Sequence, residues 1–127
     1  MMPHFGRPLR YILTDHHIAV PCDDLTTWHR WFDGAGNRRV ALTEVGPVTV
    51  STVFLGLDHN FGDGDPILFE TMTFSHGDGD EDGCWRCCTW AAAERQHAEV
   101  VALTEVRVAA TDGILNWQKM PSEPDKQ

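Results

Sequence analysis

Residues 48–57 alternate without a break. Val48, Val50, Thr52, Phe54 and Gly56 face one side of an extended chain, and Thr49, Ser51, Val53, Leu55 and Leu57 face the other. A period of two does not fit a helix, so this run is a strand. The next β-rich run, 67–74, follows the loop 58–66, whose glycines, aspartates and Pro66 are turn residues. The two runs form an antiparallel hairpin that any fold of the chain must contain. Pairing Leu57 with Ile67 sets Phe54 opposite Glu70, with Glu70 on the face of Leu68 and Met72.

The remaining elements arrange themselves around that hairpin. Residues 10–14 and 18–20 flank Asp15-His16-His17 and read as a short hairpin with an exposed turn. Asp23 or Asp24 caps a helix in which Leu25, Trp28 and Phe32 share a face, and Gly34 and Gly36 stop it. Residues 38–45 form a further strand, turned at Gly46-Pro47, and 75–83 read as a second loop. Thr89 caps a second helix whose stripe is Trp90, Ala93, His97 and Val100/Val101, running to about Arg107. The expectation is an α+β domain over 10–110, an antiparallel sheet of about five strands with two helices packed on one face. Residues 1–9 are expected to be a disordered start and 111–127 a weakly ordered tail. The hexapeptide Val-Ala-Leu-Thr-Glu-Val occurs at 40–45, in strand context, and at 101–106, in helical context; the flanks differ, so it reads as coincidence.

Charge is distributed unevenly. Residues 40–85 hold nine acidic side chains and no lysine or arginine, so the net charge of −9 comes from this segment alone. Such a chain is a poor direct ligand for nucleic acid and is better suited to a basic protein surface. It has no apolar run long enough to span a membrane, and the first seven residues lack the apolar core of a signal peptide, so a cytoplasmic site is expected. Cys84, Cys87 and Cys88 are too crowded, and Cys22 too distant, for a disulfide framework; reduced thiols are expected. Five tryptophans exceed what a small core hides easily and lean toward a homodimer face.

Three groups of residues bear on chemistry. Asp78, Asp80 and Asp82 with Gly83 match the first half of a calcium loop, but Thr89 occupies the place of its bidentate glutamate. A solvated loop tip is the preferred reading and a weak calcium site the alternative; no other cofactor is expected. Zinc at the cysteines lacks a convincing second ligand pair. Asp58, His59, Asp63, Asp65 and Glu70 are the candidate binding residues. Asp58, His59 and Glu70 form the one acid/base group, but Glu70 lies about 10–13 Å along the strand from the other two. Structural roles are therefore expected: Asp58 accepting loop amides, Glu70 bonded to an arginine or tyrosine, His97 hydrogen-bonded in the core. No catalytic residue is assigned, and the reading leans away from an enzyme.

The pattern FLGLDHNFG at 54–62 and PILFETM at 66–72, followed by Thr89-Trp90, Ala93 and His97, resembles a family of small uncharacterised tailed-bacteriophage proteins. Thr43-Glu44-Val45-Gly46 and the helix around Trp28 and Phe32 fit the same pattern, so the resemblance covers roughly 10–101. It implies a phage gene and action in the cytoplasm of an infected bacterium, and carries no assigned activity. The acidic stretch 76–83 and the three clustered cysteines depart from it.

The leading expectation is thus a small acidic phage interaction protein that inhibits a host defence complex by protein binding. One alternative is a small-molecule or nucleotide-signal sponge, with Arg10, Arg38, Arg39 and Arg86 converging at one end of the sheet. The other is a weak metal-binding enzyme.

Overall fold

The computed structural model describes residues 7–34, 38–75 and 81–119; at 81, 82 and 112–119 only the backbone is described. Its elements are β1 (Tyr11–Leu13), β2 (Ala19–Pro21), α1 (Leu25–Gly34), β3 (Arg39–Val45), β4 (Val48–Phe54), β5 (Phe69–Ser75), β6 (Glu81–Cys87) and α2 (Trp90–Lys119). The fold is α+β, with a two-stranded sheet β1-β2 and a four-stranded antiparallel sheet in the order β3-β4-β5-β6.

Among the described residues that is six strands in two sheets rather than about five in one. The extra strand, β6, lies partly where a loop was expected over 75–83. Its sequence, Glu-Asp-Gly-Cys-Trp-Arg-Cys, has weak strand propensity. Pairing with β5 from Phe69↔Cys87 to Phe74↔Glu81 holds it extended.

One face of the large sheet carries the core. Val48, Val50, Thr52 and Phe54 of β4 and Phe69, Thr71 and Thr73 of β5 are buried. α2 covers them with Ala93, His97, Val100 and Thr104, a spacing that keeps one helical stripe against the sheet. Trp31 of α1 packs edge-on against Phe54, so α1 closes the same face near its end. Tyr11 and Leu13 of β1 complete the cluster.

The β4–β5 register differs by one residue from the sequence expectation. Val53 pairs with Glu70 and Phe54 with Phe69. Alternation fixes which residues share a face on each strand, but does not count how many the loop consumes. Glu70 therefore stands on the outer face, away from Phe54.

The caps are those the sequence implies. Asp24 Oδ1 accepts the Thr26 amide and its Oδ2 accepts the Thr27 hydroxyl, while Thr89 Oγ1 accepts the Ala92 amide. Asp24 is held below the ordinary carboxylate range, chiefly by the Thr27 hydroxyl. α2 runs well past Arg107 to Lys119, because a lone Gly113 does not break a helix that has no proline before Pro121. Residues 120–127 lie outside the described residues.

A polar network runs through the buried face. His97 bridges Thr43 (Nε2, 2.8 Å) and Thr52 (Nδ1, 2.7 Å); Thr52 meets Thr71 at 2.7 Å, and Thr71 donates to Gln96 at 3.2 Å. Burial lowers the His97 pKa, so the ring is neutral and serves as a hydrogen-bond bridge. The two copies of Val-Ala-Leu-Thr-Glu-Val stand in β3 and α2, a strand and a helix from one hexapeptide.

Candidate functional site

The loop 58–66 is a braced structure rather than a loose acidic tip. Asp58 Oδ1 accepts the amides of Asn60 (2.7 Å) and Ile67 (3.0 Å), and Oδ2 pairs with Arg7 Nε at 3.0 Å. Arg7 also donates to the carbonyls of Gly62 and Gly64, and Asn60 Nδ2 donates to those of Asp63 and Asp65. Burial pushes the Asp58 carboxyl up, but the two amides and the guanidinium together hold it below its ordinary value. Arg7, placed in a disordered start by the sequence reading, is thus fixed on this loop.

The other expected site residues are dispersed. His59 Nδ1 bonds its own turn at Leu57 O, 2.9 Å away. Glu70 Oε2 accepts Arg86 Nε at 3.0 Å and the Cys84 thiol at 3.2 Å, on the outer face of the sheet. Asp63 and Asp65 are exposed. Asp78 and Asp80 lie outside the described residues. Asp82 and Gly83 belong to β6, and Gly83 has no left-handed backbone of the kind a calcium-loop turn requires. A Cβ at Gly83 would come within 2.6 Å of the Trp85 ring, so this glycine makes room for the indole. Among the described residues no three His, Cys, Asp or Glu side chains gather as metal ligands.

Nor do the four arginines converge. Arg38 lies over the Phe32 ring, 3.9 Å from its centroid, and Arg10 donates to Asp23 O. Arg39 and Arg86 share a register row but sit on opposite edge strands, three spacings or about 14 Å apart. Of the tryptophans whose side chains are described, Trp28 is buried and Trp31, Trp85 and Trp90 are partly buried.

What the fold does assemble is a cavity of about 500 Å³ between the β1-β2 hairpin, the end of the loop 58–66 and the start of α2. Tyr11, Leu68 and Phe69 form its buried floor; His17, Trp90 and Cys88 form its walls; exposed Ile18, Asp65 and Ala91 surround its mouth. The His17 imidazole stacks on the Trp90 indole at 3.7 Å and 4° between planes. To reach it, His17 adopts φ 64°, a left-handed backbone that costs a non-glycine residue about 1–2 kcal/mol. Thr14 braces that turn: its hydroxyl accepts the amides of His16 and Ile18, and its carbonyl accepts that of His17.

Burial, then Asp65 and Asp58, raise the Cys88 pKa, so the thiol stays protonated at neutral pH and is a poor nucleophile. Burial, then Asp58, raises that of Tyr11. These groups shape and polarise the cavity; they do not make a catalytic pair.

Sequence reasoning placed Trp90 on the core stripe and left His17 in an exposed turn. The available signal was a histidine turn beside a strand pair and a tryptophan at the first position of a helix. No helix among the described residues is long and apolar enough to cross a membrane. No family model, curated protein or solved structure matches the chain.

Proposed function

We propose that this chain is a small-molecule-binding protein whose site is the cavity between the β1-β2 hairpin and the start of α2. One observation carries the reading: a mostly apolar hollow of about 500 Å³ with a few polar groups at its edge. Volume and lining are those of pockets that enclose small organic ligands, generally 300–1,000 Å³. With the phage resemblance of residues 10–101, the protein becomes a phage-encoded binder that sequesters a small molecule in the host cytoplasm. The absence of lysine and arginine from the lining among the described residues argues against the nucleotide-sponge version.

The test is retention from a bacterial extract. Purified protein is incubated with the extract, washed, and its bound small molecules are identified by mass spectrometry. Ala91→Trp, at an exposed helical position on the mouth, blocks the cavity without disturbing the core. The wild type should retain a compound that A91W does not, and that compound should raise its Tm. Identical retention by both proteins refutes the proposal.

A second reading, an acidic inhibitor docking on a basic host protein surface, is favoured by Phe61, 78% exposed on the braced loop beside exposed Asp63. It predicts that Phe61→Ser with Asp63→Asn abolishes inhibition and leaves small-molecule retention intact.

A further inference from the structure

Charge around the cavity narrows the kind of molecule it takes. Among the described residues of its lining, Asp65 is the acidic one, and it stands at the mouth. Its carbonyl accepts Asn60 Nδ2 at 2.9 Å, but its carboxylate has no hydrogen-bond or ion-pair partner among the described residues. The loop that carries it is tied down by Arg7 and Asn60, so backbone contacts hold the free carboxylate at the mouth. Asp58 stands near enough to act on Tyr11 and Cys88, but its carboxylate is ion-paired with Arg7.

The opposing influence is the N-terminal end of α2. A helix end carries roughly half a positive charge, and the Thr89 hydroxyl already occupies one of its amides. A full carboxylate charge outweighs it. The site is therefore electronegative, with a floor of Tyr11 and Phe69 and one indole, Trp90, on its wall.

We propose that the pocket binds a flat aromatic ligand bearing a protonated amine, its ring in the hollow beside the His17–Trp90 stack and its ammonium at Asp65, and that it rejects the same ring bearing a carboxylate. The His17 imidazole already covers one face of that indole, so the floor of Tyr11, Leu68 and Phe69 supplies the rest of the contact for the ligand ring. The inference rests on the cavity being a binding site, and its test separates the two claims.

Three probes share one ring and differ in charge: tryptamine, its neutral alcohol analogue tryptophol, and indole-3-acetate. Isothermal titration at pH 8 compares them. Tryptamine should bind about three- to fivefold tighter than tryptophol, the upper part of what an exposed ion pair supplies, and indole-3-acetate should bind weakest. Asp65→Asn should erase the tryptamine preference, bringing its affinity down to that of tryptophol. Trp90→Ala should weaken all three, with the fold checked by circular dichroism. If indole-3-acetate binds as tightly as tryptamine, or Asp65→Asn leaves the preference in place, the amine assignment fails. The cavity reading survives that result provided A91W abolishes binding. If none of the probes binds at millimolar concentration, the amine assignment fails, and the extract-retention comparison with A91W decides the cavity reading by itself.

Discussion

Asp58 offers a clean dissection, because its two oxygens serve different partners. Oδ1 accepts two backbone amides, from Asn60 and Ile67, and Oδ2 accepts Arg7. Asp58→Asn keeps the Oδ1 acceptor and turns an amide nitrogen toward the guanidinium. It removes one charge-assisted bond to a partly exposed arginine, about 1–2 kcal/mol. Asp58→Ala removes that bond and also orphans two amides at a residue only 4% exposed, about 4 kcal/mol in all. At this chain length each kcal/mol moves Tm by about 4 °C. Urea and thermal unfolding of the two variants at pH 7 read the difference directly.

The pH dependence follows from the direction of the shift. The Asp58 carboxyl titrates lower in the folded protein than in the unfolded chain. Its contribution is complete above the ordinary aspartate value of about 3.9 and disappears as pH falls through the folded value. Wild type and D58N should therefore converge in stability toward pH 2. Equal losses in D58N and D58A at pH 7, or D58A within about 0.5 kcal/mol of wild type, would refute this account of the loop.

Three further outcomes are expected. His97 is kept neutral by burial, so its stabilisation is complete above about pH 6.5 and falls as pH drops and the unfolded chain takes up the proton. His97→Ala should cost about 3 kcal/mol at pH 7.5, and His97→Gln should flatten the stability profile between pH 7 and 5. Gly56→Ala should cost about 3 kcal/mol in urea unfolding, because φ is 78° and the new Cβ would lie 2.6 Å from Phe32 Cε1. In timed alkylation at pH 7.5 read by mass spectrometry, exposed Cys84 should react before Cys87 and Cys88, whose thiols are raised first by burial. Tryptamine should slow Cys88 further.

Local elements were readable wherever one periodicity dominates. The α2 stripe of Ala93, His97 and Val100, the Thr89 cap and the amide-accepting role of Asp58 all follow from short-range pattern. Strand β6 did not, because its glycine and acids carry no strand signal until β5 pairs with them. Val-Ala-Leu-Thr-Glu-Val shows the limit directly. At 40–45 its Thr43 meets His97 across the sheet face; at 101–106 its Thr104 donates to the carbonyl of Val100 one turn back. Identical residues adopt either geometry according to what surrounds them. The cavity was out of reach for the same reason. Its wall residues come from 11–19, 65–69 and 88–91, and only the tertiary fold makes them neighbours.

The buried threonines also act as an index for strand alignment. Sliding β5 by one position against β4 would place Met72 opposite Thr52, part the two hydroxyls and turn Glu70 inward beneath α2. An apolar ladder of uniform valines would tolerate that slip far better. With His97 reading Thr52 on one side and Thr71 answering on the other, the misaligned hairpin strands a carboxylate and several hydroxyls at once. A stretch of chain that looks like a compromise in the interior is thus what makes a single pairing of these strands win.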